Sequence, residues 1–162
     1  QRQAVEEAQK SLNNSRNQFF YLKLHGSQNW ISKTTSGGLV IGKAKTKQIA
    51  VKPLLHFYYN IFKSVLNLPS RKLLSIGYGF RDQHINDAIH RAAKNHGLEL
   101  YIISPESPES FRERMYRENQ SIEIWKSIRG YYNSTLSEFF PGGGPPFGTT
   151  KYRNLLNEFF AS

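Results

Sequence analysis

Three short segments of the sequence combine residue types that suit nucleotide chemistry. The first is His25-Gly26-Ser27, the second is Gly77-Tyr78-Gly79, and the third is Ser104-Pro105-Glu106. A histidine titrates near neutral pH and can move a proton, and a glycine turn before a helix offers backbone N–H groups to a phosphate. Each segment also has a purely structural interpretation, because histidines are often hydrogen-bonded core residues and glycine pairs often mark only tight turns.

The elements around these segments predict how they are brought together. Apolar runs over Phe19–Leu24, Lys72–Ile76 and Leu98–Ile103 are typical of buried strands, and each ends at one of the three segments. After the second strand, Asp82 can cap a helix that stops near Gly97. Strand, helix and strand predict a right-handed crossover between parallel strands. We therefore expect an α/β fold with a parallel Rossmann-like sheet flanked by helices, whose strand ends line one nucleotide cleft.

The other segments predict helices, a hairpin and a linker. Helices are expected over 2–14, from 53 to near 69, and over 108–119, 122–128, 131–140 and 152–160. Trp30-Ile31 is expected to pair with Leu39-Val40-Ile41 in a hairpin. The Gly/Pro-rich run at 141–146 cannot continue a helix or strand, so it predicts an exposed linker.

Composition narrows the class of protein. The chain has 162 residues and no cysteine, and its histidines lack metal-site spacing, so we expect no metal. It shows neither an uninterrupted membrane-length apolar stretch nor a signal peptide, so we expect a cytoplasmic protein without a membrane partner. The net charge is +10. The lysines between positions 33 and 52 can attract the phosphates of a nucleotide or nucleic acid, attract an acidic partner, or form a solvated loop.

The order of three longer motifs gives a family resemblance. The motifs are YLKLHGSQNW at 21–30, LLSIGYGFRDQHINDAI at 73–89 and LYIISP at 100–105. Together they closely resemble the sirtuin-like domain family, in the branch found in bacterial anti-phage defence proteins, whose members are mostly NAD hydrolases. The resemblance covers about residues 19–140 and includes IRGYYNSTLSEFFP at 128–141.

The resemblance implies roles for the three segments. His25 would be the catalytic general base near the nicotinamide ribose, accepting a hydroxyl proton while the glycosidic carbon gains oxocarbenium character and nicotinamide leaves. The glycine turn would support the ribose and phosphate of NAD, and Ser104 would hold the adenine ribose. Asp82, His84 and Asn86 match the branch's Asp-x-His-x-Asn pattern, but a helix cap with polar contacts explains them equally well. The candidate NAD-binding residues are Gly26, Ser27, Gly77, Tyr78, Gly79, Phe80, Asp82, His84 and Ser104.

The sequence departs from the family in three ways. The family's Gly-Ala-Gly phosphate loop and Asn-x-Asp segment have no counterpart, since Asn13-Asn14 does not fit that pattern. We therefore expect residues 1–140 to be the second half of a sirtuin-like NAD-binding domain, followed at 141–162 by the linker and a short helix. Gly79 replaces the usual serine, which leaves only backbone contacts there. The four zinc cysteines of protein-deacylating sirtuins are absent, which suits the defence branch.

The resemblance implies an NAD glycohydrolase that forms nicotinamide and ADP-ribose, or cyclic ADP-ribose, in anti-phage defence. The alternative is a non-catalytic module that binds NAD or ADP-ribose or mediates oligomerisation, and a third hypothesis is an NAD-dependent protein deacylase. NAD is then a substrate, and the expected protein partners are further copies of the chain or another defence protein. Nucleic acid is a weaker expectation that rests on the basic stretch at 33–52.

Overall fold

The chain divides into two compact units, Gln1–Val65 and Leu66–Ser162. The structure, a computed structural model, describes residues 2–12, 21–27, 39–40, 42, 45–117, 122–141 and 149–160. Each unit has its own hydrophobic cluster.

Among its described residues, the first unit contains helices and a short backbone pairing. Its helices are α1 (Arg2–Leu12), α2 (Lys45–Ala50) and α3 (Pro53–Leu66). The predicted helices at 2–14 and from 53 are confirmed. They form because their apolar residues recur at helical spacing and because Pro53 suits a first helical turn. The cluster of this unit consists of Val40, Ile49 and Leu55, with Tyr59 packed against it.

The prediction of a strand over Phe19–Leu24 is wrong for residues 21–24, the part of this range that the structure describes. Residues 21–23 have no regular structure, and residues 24–25 form a turn. The Gly26 N–H donates to the Lys23 carbonyl at 3.1 Å, and Gly26 has a φ of 82°. This local hydrogen bond reverses the chain where a strand would continue.

The predicted hairpin falls largely outside the described residues, and its second segment is described at Leu39 and Val40. Leu39 forms an antiparallel bridge with Gly26, and the Val40 N–H donates to the His25 carbonyl at 2.8 Å. The predicted partner, Trp30-Ile31, lies outside the described residues. The structure describes only part of the basic stretch at 33–52, and Lys45–Ala50 within this stretch form α2.

The second unit opens with the predicted strand, helix and strand. These are β1 (Lys72–Ile76), α4 (Gln83–His96) and β2 (Glu99–Ser104). The two strands are parallel, in a register that runs from Lys72 opposite Glu99 to Ile76 opposite Ile103. Helix α4 ends at Gly97, whose φ of 68° and N–H bond to the Ala92 carbonyl form a left-handed cap. The fold class predicted from the sequence is confirmed.

A third parallel strand lies where the sequence predicts helix. Helices α5 (Pro108–Arg117) and α6 (Ile122–Lys126) are followed by strand β3 (Ile128–Asn133), which pairs with β2 and gives the order β1-β2-β3. The predicted helices through Ile128 and over 131–140 are therefore wrong, apart from the short helix α7 (Leu136–Phe139). Pairing with β2 outweighs the local pattern, because strand propensity depends strongly on the neighbouring strand.

The last helix packs on one face of the sheet. Helix α8 (Thr150–Phe159) confirms the predicted C-terminal helix, and its Leu155 joins Phe139 of α7 against Tyr101 and Ile103 of β2. Leu100 and Ile102 alternate with these residues, face the opposite side and are also buried, so both faces of β2 are covered. Residues 142–148 of the predicted linker lie outside the described residues. Within the described part of the chain, no helix has both the length and the apolar character needed to cross a membrane.

Candidate functional site

The carboxyl ends of β1, β2 and β3 form one edge of the sheet. The strands end at Ile76, Ser104 and Asn133, and α4 begins after the turn that follows β1. In open parallel sheets this edge binds ligands, because loops meet there and helix N-termini present N–H groups. The turn at residues 77–80 and the loop that begins at Ser104 are therefore the centre of the candidate site.

The turn at 77–80 has two residues with left-handed backbone. Gly77 has a φ of 63°, and its N–H donates to the Ile103 carbonyl at 3.2 Å, which fixes the start of the turn to β2. Phe80 has a φ of 53° although it carries a side chain, a conformation that costs about 1–3 kcal/mol. Its ring is fully buried and packs on Tyr78 and Phe111, with ring centroids 4.6 and 5.4 Å away. Packing thus stabilises a strained backbone at the sheet edge.

Gly79 is the open part of this turn. It is exposed, and the nearest heavy atom to a Cβ built there is the Arg81 Cγ at 4.0 Å. A ligand can therefore approach the backbone of residue 79 closely. Such an approach suits a phosphate or ribose group, as the glycine turn predicts.

A buried amide supports the turn from α4. The Asn86 side chain donates to the Phe80 carbonyl at 2.8 Å and accepts a hydrogen bond from the Tyr78 hydroxyl at 2.9 Å. The single hydrogen of this hydroxyl is shared with the Asp82 carbonyl, which lies 3.3 Å away. Burial, followed by the charge of Asp82, raises the pKa of Tyr78 well above its ordinary value, so this hydroxyl stays protonated and remains a donor.

Asp82 and His84 lie at the N-terminal end of helix α4. Asp82 is the N-cap residue, but its side chain makes no capping hydrogen bond, and its carbonyl accepts from the N–H groups of Ile85 and Asn86. His84 is buried. The structure places both residues beside the turn at 77–80, whereas their predicted contacts with NAD stay predictions.

The loop after β2 is tied to the turn by an ion pair. The Arg114 guanidinium donates to both carboxylate oxygens of Glu106, at 3.1 and 2.7 Å, and to the Gly79 carbonyl at 2.8 Å. The Ser104 Oγ accepts from the Glu106 N–H at 3.2 Å. The hydrogen bond from Arg114 holds the pKa of Glu106 below its ordinary value. Arg114 therefore joins the loops that follow two adjacent strands.

Strand β3 contributes two residues that the sequence interpretation missed. The two hydrogens of the Asn133 amide are shared among the carbonyls of Ser104, Pro105 and Glu106, at 3.3, 3.0 and 2.9 Å. The Tyr131 hydroxyl donates to the Glu106 carbonyl at 2.8 Å, and burial raises the pKa of this tyrosine. The sequence pattern predicts a helix in this segment, and a helix gives no reason to place either residue beside Ser104.

His25, Gly26 and Ser27 lie in the first unit. All three are half-buried, and the Ser27 Oγ accepts from the Lys23 ammonium at 3.2 Å. His25 lies in a turn, and Gly26 and Ser27 follow it, so the prediction that they end a parallel strand is wrong for the reason given above. The third strand end at the edge is that of β3. The catalytic role of His25 and the binding roles of Gly26 and Ser27 stay predictions.

The parallel sheet, its flanking helices and the glycine turn at its carboxyl edge define a Rossmann-like α/β domain. The chain belongs to the SIR2-like domain family, whose sequence profile matches residues 1–125. SIR2-like domains use NAD, so membership of this family supports an NAD-related function. The resemblance to sirtuin-like domains is thereby confirmed. A search of curated proteins found no match.

Proposed function

We propose that the protein containing this chain converts NAD to nicotinamide and either ADP-ribose, by hydrolysis, or cyclic ADP-ribose. The observation that carries the proposal is a glycine turn, followed by a helix N-terminus, at the carboxyl edge of the parallel sheet of a SIR2-like chain. A dinucleotide needs close backbone approach and N–H donors, and an exposed Gly79 with open space beside it fits this need.

The proposed contacts divide between recognition and chemistry. Recognition falls to Gly77, Tyr78, Gly79 and Ser104, with Gly26, Ser27, Phe80, Asp82 and His84 as further candidates. The positive charge of the nicotinamide ring makes it a good leaving group, which departs with the electron pair of the glycosidic bond. In hydrolysis, water then adds to the ribose carbon and loses a proton, so NAD and water give nicotinamide, ADP-ribose and a proton.

The proposed general base is His25. A neutral imidazole accepts a proton from a ribose hydroxyl or from water as positive charge develops at the ribose carbon. Support comes from the match of YLKLHGSQNW with the family's His-Gly motif and from the family profile, which covers this segment.

His25→Ala is the decisive test. We expect the purified protein to consume NAD and release nicotinamide, and His25→Ala to abolish both while thermal unfolding stays that of a folded protein. His56→Ala is the matched control, because His56 is exposed on α3 and lies in the same unit. Unchanged NAD consumption in His25→Ala would exclude His25 as the base.

A binding function without turnover is the second candidate. It is favoured by the turn at 77–80 and the loop at Ser104, which are held together by contacts within the second unit. Calorimetry with NAD and ADP-ribose separates the candidates. Saturable binding without nicotinamide release supports the binding module, and release of acetyl-ADP-ribose from an acetyl-lysine peptide supports a deacylase.

The biological role proposed is anti-phage defence, which rests on the branch resemblance. Bacteria that express the protein should lose NAD on infection, and those with His25→Ala should keep it and lose protection. Size-exclusion chromatography with light scattering tests the accompanying proposal that the protein forms homo-oligomers. Survival of infection that does not depend on His25 would contradict the role assigned to NAD depletion.

A further inference from the structure

One buried side chain contacts both neighbours of the open glycine. Asn86 is only 2% exposed, and it lies on the first turn of α4. Its amide N–H₂ donates to the Phe80 carbonyl at 2.8 Å, and its amide oxygen accepts from the Tyr78 hydroxyl at 2.9 Å. Gly79 stands between these two residues in the chain, so Asn86 anchors the turn on both sides of it.

The conformation at Phe80 needs such an anchor. A residue with a side chain rarely adopts a φ of 53°, and it does so only when its surroundings select that conformation. Ring packing on Tyr78 and Phe111 holds the side chain of Phe80, whereas the bond from Asn86 holds its carbonyl. The direction of that carbonyl is coupled to the orientation of the peptide plane that it shares with Arg81.

An amide suits this position because the two partners make opposite demands. The Phe80 carbonyl needs a donor, and the Tyr78 hydroxyl needs an acceptor, for which the Asn86 oxygen at 2.9 Å is nearer than the Asp82 carbonyl at 3.3 Å. A side-chain amide supplies both from one planar group. Asn86 is also buried, which removes competition from water for either bond.

We propose that Asn86 is a positioning residue that sets the backbone of the turn at 77–80 for ligand binding. The Asn86 side chain is buried and hydrogen-bonded within the protein, so Asn86 affects the ligand through Tyr78 and Phe80. The identity of the ligand, NAD or ADP-ribose, rests on the proposed function, whereas the effect of Asn86 on the turn does not. Pre-organisation of this kind raises affinity because the turn is already ordered before the ligand binds.

Asn86→Leu tests the proposal, since leucine has a similar volume and makes neither bond. Asn86→Asp is the second variant, which keeps an acceptor for Tyr78 and replaces the amide donor by an oxygen. Ile89→Val is the control, because Ile89 is buried on the same helix and the change removes only one methyl group. All variants are made in the full chain, and their folding is checked by thermal unfolding.

Hydrogen exchange of the amides at 77–82 reads the turn without any ligand. We expect exchange there to accelerate at least about tenfold in both Asn86 variants, through local opening, and to stay unchanged in Ile89→Val. Calorimetry then measures binding of ADP-ribose and NAD, and the Asn86 variants should bind about tenfold more weakly because their turn must be ordered on binding.

The outcomes separate the two proposals. Exchange at 77–82 that matches the Ile89→Val control would overturn the positioning role, whatever the protein does with NAD. Faster exchange with unchanged affinity would also overturn it, since the turn would then not control binding. If the wild type neither binds nor consumes NAD, the proposed function fails, and the exchange result alone decides whether Asn86 sets the turn.

Discussion

The two glycines of the turn after β1 have different structural roles. Gly77 has a φ of 63°, a region that is costly for residues with a Cβ, although open space surrounds it. Gly79 has no such φ and has open space beside it. The backbone conformation therefore requires glycine at position 77, whereas position 79 accepts other residues without strain.

We predict that Gly77→Ala lowers the free energy of unfolding by about 1–2 kcal/mol, the cost of a left-handed conformation for an alanine. Gly79→Ala is the matched control and should change it by less than about 0.5 kcal/mol, since the site is exposed and open. Urea unfolding of both variants measures the difference. Equal losses would contradict the distinction between the two glycines.

At the scale of elements, β2 and β3 approach closely at one glycine. A Cβ at Gly130 would lie 2.8 Å from the Tyr101 Cδ1 and 3.2 Å from the Tyr132 Cε2. Both are atoms of aromatic rings, and the Tyr101 ring also packs edge-on against Phe159 of α8, with centroids 5.3 Å apart. The ring of Tyr101 thus has little room to move away.

Gly130→Ala should therefore destabilise the protein by about 1–3 kcal/mol, as expected for overpacking in a buried contact. Arg129→Ala in the same strand is the control, because the Arg129 side chain is 61% exposed and its ion pair with Glu99 spans 3.4 Å. An exposed pair of this kind contributes at most about 1 kcal/mol. Denaturant unfolding of both variants checks the order of the two effects.

The Glu106–Arg114 pair makes the join between the two loops sensitive to acid. Because Arg114 lowers the pKa of Glu106, the pair contributes stability that is complete above the ordinary value of 4.5 and is lost as pH falls through the lowered value. Glu106→Gln should therefore lose less stability on acidification than the wild type. Thermal unfolding across this pH range measures the slopes, and Glu113→Gln on the same helix is the charge-matched control.

Several elements were predictable from local patterns alone. Helix α3, strand β1, helix α4 and strand β2 each have an apolar pattern and a proline, aspartate or glycine at a boundary, so local chemistry specifies them. Strand β3 was not predictable in this way, because its aromatic residues fit a helix or a strand until β2 lies beside it.

The candidate site, like the fold, was predictable only where local patterns specify it. Sequence spacing placed the turn at 77–80 and Ser104 at one edge, because parallel strands bring their ends together. The contacts of Arg114 and Asn133 with that edge depend on how α5 and β3 pack. Local patterns carry no information on such packing. The prediction for 19–24 failed since an apolar run alone does not reveal a turn at Lys23–Gly26.

At the scale of the whole molecule, the family match ends before the last residues that form the core of the second unit. The match ends at residue 125, whereas β3, α7 and α8 all follow it. Phe139 and Leu155 from these later elements bury Tyr101 and Ile103 from within the match. The segment after residue 125 therefore supplies part of the hydrophobic core on which β2 depends.

Leu155→Ala should accordingly lower the free energy of unfolding by about 2–5 kcal/mol, the usual cost of removing a buried leucine side chain. Leu136→Ala is the control, since Leu136 is 57% exposed whereas Leu155 is 3% exposed. The control should change stability by less than about 0.5 kcal/mol. Chemical denaturation of the full chain gives both values, and similar losses would show that α8 adds little to the core.

The packing of Phe80 provides a spectroscopic consequence. From the turn, aromatic rings continue through Phe111 to Trp125, with centroid separations of 5.4 and 6.2 Å. Indole emission depends on its immediate surroundings, and the chain has two tryptophans. Replacement of Trp30 by phenylalanine leaves Trp125 as the sole indole, so its fluorescence becomes an optical signal for rearrangement of the turn during ligand titration.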